Sequence, residues 1–277
     1  MRMAGIPALS DRFPASLTGT GESRLVLGAA TVDTALGGGL DRQRLHEIVP
    51  GGTFQLGAAA GFACALAAMA GQKNQNGSIV WIQQRFAALE GGAPYGPGGD
   101  VFAIAATRWL IVQTHTAKDT LWAMEESLRC TGVAAVIGEM AGAGEDADLT
   151  ATRRLNLVLQ ERQTLGLLLR QQTLAGTSAC ATRWRVTAAP GRGDGLGGIG
   201  GLALALTLEK NQRGPCGGWH VEWNRDERCF ADFGTTFPVA VAAPSQHRPY
   251  RAAGPAFALA AGCGGHGGQR AMPYRRQ

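Results

Sequence analysis

Residues 24–49 read RLVLGAATVDTALGGGLDRQRLHEIV, and residues 50–70 continue PGGTFQLGAAAGFACALAAMA. Leu45–Val49 is a short apolar run that fits a buried strand. A glycine-rich turn follows it, holding Pro50, Gly51, Gly52 and Gly57. Ala58–Ala70, with Gly61 inside it, is built from small residues at a length that suits a helix. Strand, glycine-rich turn and helix in that order predict the opening unit of a parallel α/β sheet.

The rhythm continues outward from this unit. Ser78–Gln83 (SIVWIQ), Trp109–Gln113, Val133–Ile137 and Leu165–Arg170 (LGLLLR) are near-continuous apolar runs. Helical spacing appears over Lys118–Arg129 and Leu149–Arg162, the latter with Leu155, Val158 and Leu159 on one face. Apolar strands that alternate with helices predict a mainly parallel sheet covered by helices. Thr182–Thr187, Leu202–Leu208 and Trp219–Trp223 instead alternate with period two. That pattern predicts antiparallel strands toward the C-terminus. The expected fold class is therefore α/β, with antiparallel strands closing a parallel core. The expected organisation is a loosely ordered arm over 1–22, a folded domain over 23–235 and a Gly/Pro/Ala-rich basic tail over 236–277.

Composition excludes several classes. Hydrophobic residues make up 45% of the 277 and charged residues 17%, so the body is not a charged disordered segment. The 41 glycines show no three-residue period, which excludes collagen. The run Leu56–Ala70 is expected to be too short to span a bilayer, and the first residues carry no apolar signal core. A cytoplasmic protein with reduced thiols is expected. The six cysteines form no CxxC and the histidines show no ligand spacing, so no metal is expected. Lys and Arg number 26 against 21 Asp and Glu. Five arginines (248, 251, 270, 275 and 276) follow Thr235 and no acid does, so the excess charge belongs to the tail. A global nucleic-acid surface is not supported.

Arg24–Val49 resembles the entry segment of the RecA-like ATPase superfamily. Val32, Asp33, Leu36, Gly37–Gly39, Leu40, Glu47 and Ile48 carry that resemblance. The order of the later stretches agrees with it over roughly residues 24–232. It implies a RecA-like core in which the glycine-rich turn is the phosphate loop. An active member closes that loop with Gly-Lys-Ser/Thr, where the lysine neutralises the terminal phosphates and the hydroxyl holds magnesium. No Lys or Arg lies between Arg44 and Lys73 here, and neither Lys73, Lys118 nor Lys210 sits in such a motif. Where active relatives carry acids after the second core strand, this chain has Gln83-Gln84-Arg85. VAAVIGEM offers only Glu139, with the alternative that it is an ordinary strand-end carboxylate. These losses together predict a degenerate site, no cofactor and no enzyme activity.

APYGPG (93–98), LWAMEESLRC (121–130), VAAVIGE (133–139), DLTATRRL (148–155), SACATRWRVTAAP (178–190) and LEKNQRG…WHVEW resemble the ImuA family. These are RecA-like accessory proteins of bacterial mutasomes. The resemblance implies a part in damage-induced mutagenesis. Its implied partners are RecA, ImuB (an inactive Y-family polymerase relative) and, indirectly, an error-prone DNA polymerase. Two alternatives stay open: a SulA-type division inhibitor that binds FtsZ, and a RecA-like ATPase with an unconventional site.

Partner-binding candidates each carry a plainer alternative. Trp122 is either an anchor or a core aromatic, with the core the better expectation. Glu125 and Glu126 fit a solvated helix face. Arg153 and Arg154 meet an acidic partner or DNA phosphate, or simply form a solvated face. Lys210 matches a lysine that reaches the neighbouring subunit in filament-forming relatives, or is a plain surface lysine. Arg248 and Arg251, with Tyr250 and Tyr274, are candidates for contact with single-stranded DNA by charge and stacking, against an inert tail.

Overall fold

The computed structural model describes residues 23–72, 77–141, 149–171, 178–192 and 201–233. Nine strands form one sheet. In chain order these are β3 (Leu45–Pro50), β4 (Ser78–Gln84), β5 (Trp109–Thr114), β6 (Val133–Met140), β7 (Leu165–Arg170), β8 (Thr182–Ala189), β9 (Ala203–Asn211), β10 (Gly217–Asn224) and β11 (Cys229–Asp232). A separate two-stranded ribbon pairs β1 (Arg24–Leu25) with β2 (Leu40–Asp41). The helices are α1 (Ala30–Ala35), α2 (Leu56–Ala70), α3 (Arg85–Gly91), α4 (Ala117–Arg129) and α5 (Leu149–Gln160).

The sheet runs β11-β10-β9-β8-β3-β7-β6-β4-β5. From β8 to β5 all neighbours are parallel, and from β8 to β11 all are antiparallel. This is the α/β arrangement expected from the sequence, a mainly parallel sheet with antiparallel strands toward the C-terminus, with one correction. β8 is not purely antiparallel, because it also pairs in parallel with β3, setting Ile48 beside Trp184 and Pro50 beside Val186. Its alternating pattern has another cause. Thr182, Trp184 and Val186 are buried, while Arg183, Arg185 and Thr187 on the opposite face are half-buried. Period two reports one-sided burial and says nothing of a neighbour's direction.

Each face of the sheet buries its own cluster. On one side α2 lays Phe62 and Leu66 among Ile48, Ile137, Leu167, Trp184 and Phe230. The ring centroids of Phe62 and Trp184 are 5.7 Å apart, and Phe62 and Phe230 are 5.6 Å apart. On the other side Met124 and Leu128 of α4 and Leu155 and Leu159 of α5 cover Leu45, Val80, Val136 and Leu168. Fully burying side chains of this size contributes on the order of 2 kcal/mol each. Thr116 starts α4 with a capping box, its hydroxyl accepting from Asp119 N while the Asp119 carboxylate accepts from Thr116 N. Together with the 3-10 turn before it, α2 forms an 18-residue apolar helical segment, Thr53–Ala70, long enough by length and composition to cross a membrane. The sequence expectation that it was too short is corrected on length. In the fold, nine residues of α2 are buried against the sheet, and the segment acts as a core helix.

Two features of the opening segment had no counterpart in the sequence expectation. Residues 30–35 form α1, and the Asp33 carboxylate accepts from Leu27 N and Gly28 N at 2.8 and 2.9 Å. Gly37, Gly38 and Gly39 then carry φ values of 69°, 100° and 117°. Three consecutive left-handed residues turn the chain back into β2, which only glycine does without steric cost. The arm over 1–22 and the tail over 236–277 lie outside the described residues.

Candidate functional site

The degenerate phosphate loop joins β3 to α2. Gly51 N donates to Val186 O of β8 at 2.7 Å. A Cβ on Gly51 would collide with the Thr187 hydroxyl, so the loop lies flat on β8. Thr53–Gln55 form a 3-10 turn, and the Gln55 Oε1 accepts from Ala188 N at 2.8 Å. The glycines and the fold keep the loop in place, yet its polar contacts run to its own sheet. Gly57 and Gly61 follow inside α2 itself.

A cleft of about 650 Å³ opens beside this loop, walled by Pro50, Gly52, Thr53, Gln171, Glu90 and Arg185 among others. Arg185 is the one cation among its described lining residues, and it is committed elsewhere. Its Nε donates to the Glu209 carboxylate at 2.5 Å and one terminal nitrogen donates to Pro50 O at 3.3 Å. A triphosphate here would meet Glu90 and a cation already neutralised by its own partner.

The positions of the missing acids are filled by amides. Gln83 Nε2 donates to Gly92 O at 2.7 Å and to the Glu139 carboxylate at 2.9 Å. Gln84 Oε1 accepts from Ala141 N at 2.7 Å. Arg85 is exposed at the start of α3. Glu139 stands within β6 beside Gln83 of β4, with its residue only 3% exposed. Glu139 is the last residue but one of β6, so it does stand at the strand end, but it is buried there. Burial pushes its carboxyl pKa up, and hydrogen bonds from Trp81, Gln171 and Gln83 pull back against that.

The partner candidates separate into distinct places. Trp122 is 64% exposed on α4, so the core expectation for it is overturned. Trp122 faces outward while Met124 and Leu128 of the same helix face the sheet. Glu125 is also not where the sequence put it. It is buried, and its two oxygens take Arg129 of α4 and Arg154 of α5, each at 2.6 Å. Arg154 thus ties the two helices together, and Arg153 beside it is exposed. Glu126 remains on the surface, paired with Arg129. Lys210 donates to Ser178 O of its own chain. Gln212 holds the same stretch through Ala179 O and Cys180 O. The structure thus brings Trp122 and Arg154 to one surface formed by α4 and α5, and puts Lys210 on β9. Arg248 and Arg251, and with them any tail contact with DNA, lie outside the described residues.

Sequence reading missed a buried ion cluster one strand from the loop. Glu47 on β3 accepts from Arg170 of β7, from Arg183 of β8 at 2.6 Å and from Ser178 Oγ at 3.1 Å. Glu47 and Arg170 are almost fully buried. The available signal was a lone arginine closing the apolar run LGLLLR and a lone glutamate inside LHEIV.

Fold and site together define an α/β protein with a mainly parallel sheet, whose glycine-rich β3–α2 loop carries neither lysine nor arginine. No family profile matches the chain. Over 211 residues it is 30% identical to protein ImuA of Caulobacter vibrioides strain NA1000 / CB15N, covering 72% of this chain and 82% of that protein. The same figures hold for ImuA of C. vibrioides strain ATCC 19089 / CIP 103742 / CB 15. The chain belongs to the ImuA family. Among solved structures, the crystal structure of the RadB recombinase is similar at a TM-score of 0.49 and 14% identity, over 76% of this chain and 99% of that one.

Proposed function

We propose that this protein is a non-catalytic RecA-like accessory factor of the bacterial DNA-damage response. It supports error-prone translesion synthesis by bridging RecA and an ImuB-like partner, and works in the cytoplasm without a nucleotide cofactor. The observation that carries the non-catalytic part is the phosphate loop. It has no lysine, and Arg185, the one cation among the described residues lining its cleft, is bound to Glu209 and Pro50. Membership of the ImuA family supports the damage-response role. The exposed Trp122 on α4 supports a binding function, because tryptophan is among the residues that most often anchor an interface.

The test is copurification of the tagged full chain from damaged host cells. Recovery of RecA and the ImuB-like protein is expected. Recovery of FtsZ alone would replace the proposal with division control.

A further inference from the structure

A second cavity lies against the sheet behind the first turns of α2, and phosphate chemistry does not account for it. It holds about 570 Å³, within the usual range for a small-molecule site. Trp81 of β4 and Trp109 of β5 form its floor, with ring centroids 6.2 Å apart. Phe54 and Tyr95, 97% and 77% exposed, stand on its rim. Glu139 and Glu90 are its two charged lining residues, and no Lys, Arg or His lines it among the described residues.

Glu139 gives the cavity its chemistry. Its carboxylate is buried, and no salt bridge reaches it among the described residues. The groups that hydrogen-bond it are neutral: the Trp81 indole N–H at 2.9 Å, the Gln83 amide at 2.9 Å and Gln171. A buried carboxylate without a cation is costly, and a bound positive charge would relieve that cost. Aromatic faces around a carboxylate attract organic cations through the ring quadrupole as well as through charge. The same acidic, apolar wall repels phosphate-bearing ligands.

We propose that this cavity binds a small organic cation with an apolar body, its charge directed at Glu139 and its body held between the tryptophans and the rim aromatics. The site is separate from the phosphate-loop cleft in its ligand chemistry, though both clefts share Thr53, Leu56, Glu90 and Gly91 as walls. The inference does not depend on which proteins the chain meets.

The probe is phenyltrimethylammonium, whose charge is fixed, measured against its neutral isostere tert-butylbenzene. The readout is the indole N–H resonances of the ¹⁵N-labelled full chain. The expected result is saturable shifts confined to Trp81 and Trp109, with the cation bound about tenfold more tightly than the isostere. Glu139→Gln, which still accepts from Trp81 and Gln83, should remove that preference. Gly61→Leu is the second variant. A Cβ at Gly61 finds its nearest neighbour at 3.6 Å, so a larger side chain enters the cavity and should block both ligands without touching Glu139. Equal binding of the two probes, no binding of the cation, or a preference that survives Glu139→Gln would overturn the proposal. If Glu139→Gln fails to fold, unimpeded cation binding in folded Gly61→Leu would do so.

Discussion

The side-chain amide of Gln83 donates to the carboxylate of Glu139 at 2.9 Å, across the parallel pair β4 and β6. The same amide also holds Gly92 O. At the end of β4 this chain thus keeps a neutral donor that secures a loop and a buried carboxylate. Gln83→Leu removes both hydrogen bonds and leaves Glu139 short of a donor. It should lower stability by about 2 kcal/mol in urea unfolding. An unchanged midpoint would show that the amide contacts are incidental.

The Glu47 cluster should be the most sensitive polar group in the fold. Glu47→Ala removes the carboxylate that Arg170 and Arg183 share, and Arg170 is almost fully buried. Breaking such a pair from one side costs about 3–5 kcal/mol. The full chain should then unfold at a clearly lower temperature, or fail to accumulate as folded protein, while Glu209→Ala at the half-exposed Arg185 pair should cost far less.

His46 makes stability depend on pH. Its Nε2 lies 2.8 Å from Asp41 O, and a carbonyl only accepts, so Nε2 carries the proton. Nδ1 then accepts from the Thr182 hydroxyl at 2.8 Å, whose oxygen takes the Trp184 indole N–H at 2.9 Å. Burial is the main cause that lowers the His46 pKa from 6.5 to about 4. The unfolded chain therefore binds the extra proton first. The stability this contributes is complete above pH 6.5 and is lost as pH falls from 6.5 toward 4. The loss at the acid end is on the order of 3 kcal/mol. Urea titrations of the wild type and His46→Gln across that window should show the slope in the wild type and a shallower one in the variant.

Trp122→Ala should separate binding from folding. The side chain is exposed, so unfolding free energy should move by no more than about 0.5 kcal/mol. Capture of a partner that uses the α4–α5 surface should fall by about tenfold or more. Arg154→Ala should act on the same surface but cost stability too, because it releases the buried Glu125. Full partner recovery with Trp122→Ala would move the interface to another face.

The sheet was largely legible because the four buried parallel strands β3, β4, β6 and β7 need near-continuous apolar runs, and SIVWIQ and LGLLLR are such runs. The direction of β8 was not, since its alternation records a half-open face and leaves its pairing with β3 unmarked. The missing lysine was legible directly, but the capture of Arg185 by Glu209 joins residues 24 positions apart on antiparallel β8 and β9. Trp122 and Glu125 were misplaced for one reason. Helical spacing gives a face, and which face meets the sheet is set by Met124 and Leu128, with Arg154 of another helix pulling Glu125 inward. Asp33 shows the same limit, because its cap on Leu27 and Gly28 needs a helix too short to leave a periodic signal.

We infer that this α/β core persists without nucleotide chemistry. The most direct measurement is ATP hydrolysis by the purified full chain with magnesium, with and without single-stranded DNA, alongside electron microscopy of the same samples. No turnover above the protein-free blank and no filaments on nucleotide addition are expected. Magnesium-dependent hydrolysis stimulated by single-stranded DNA, or filaments that require ATP, would contradict it.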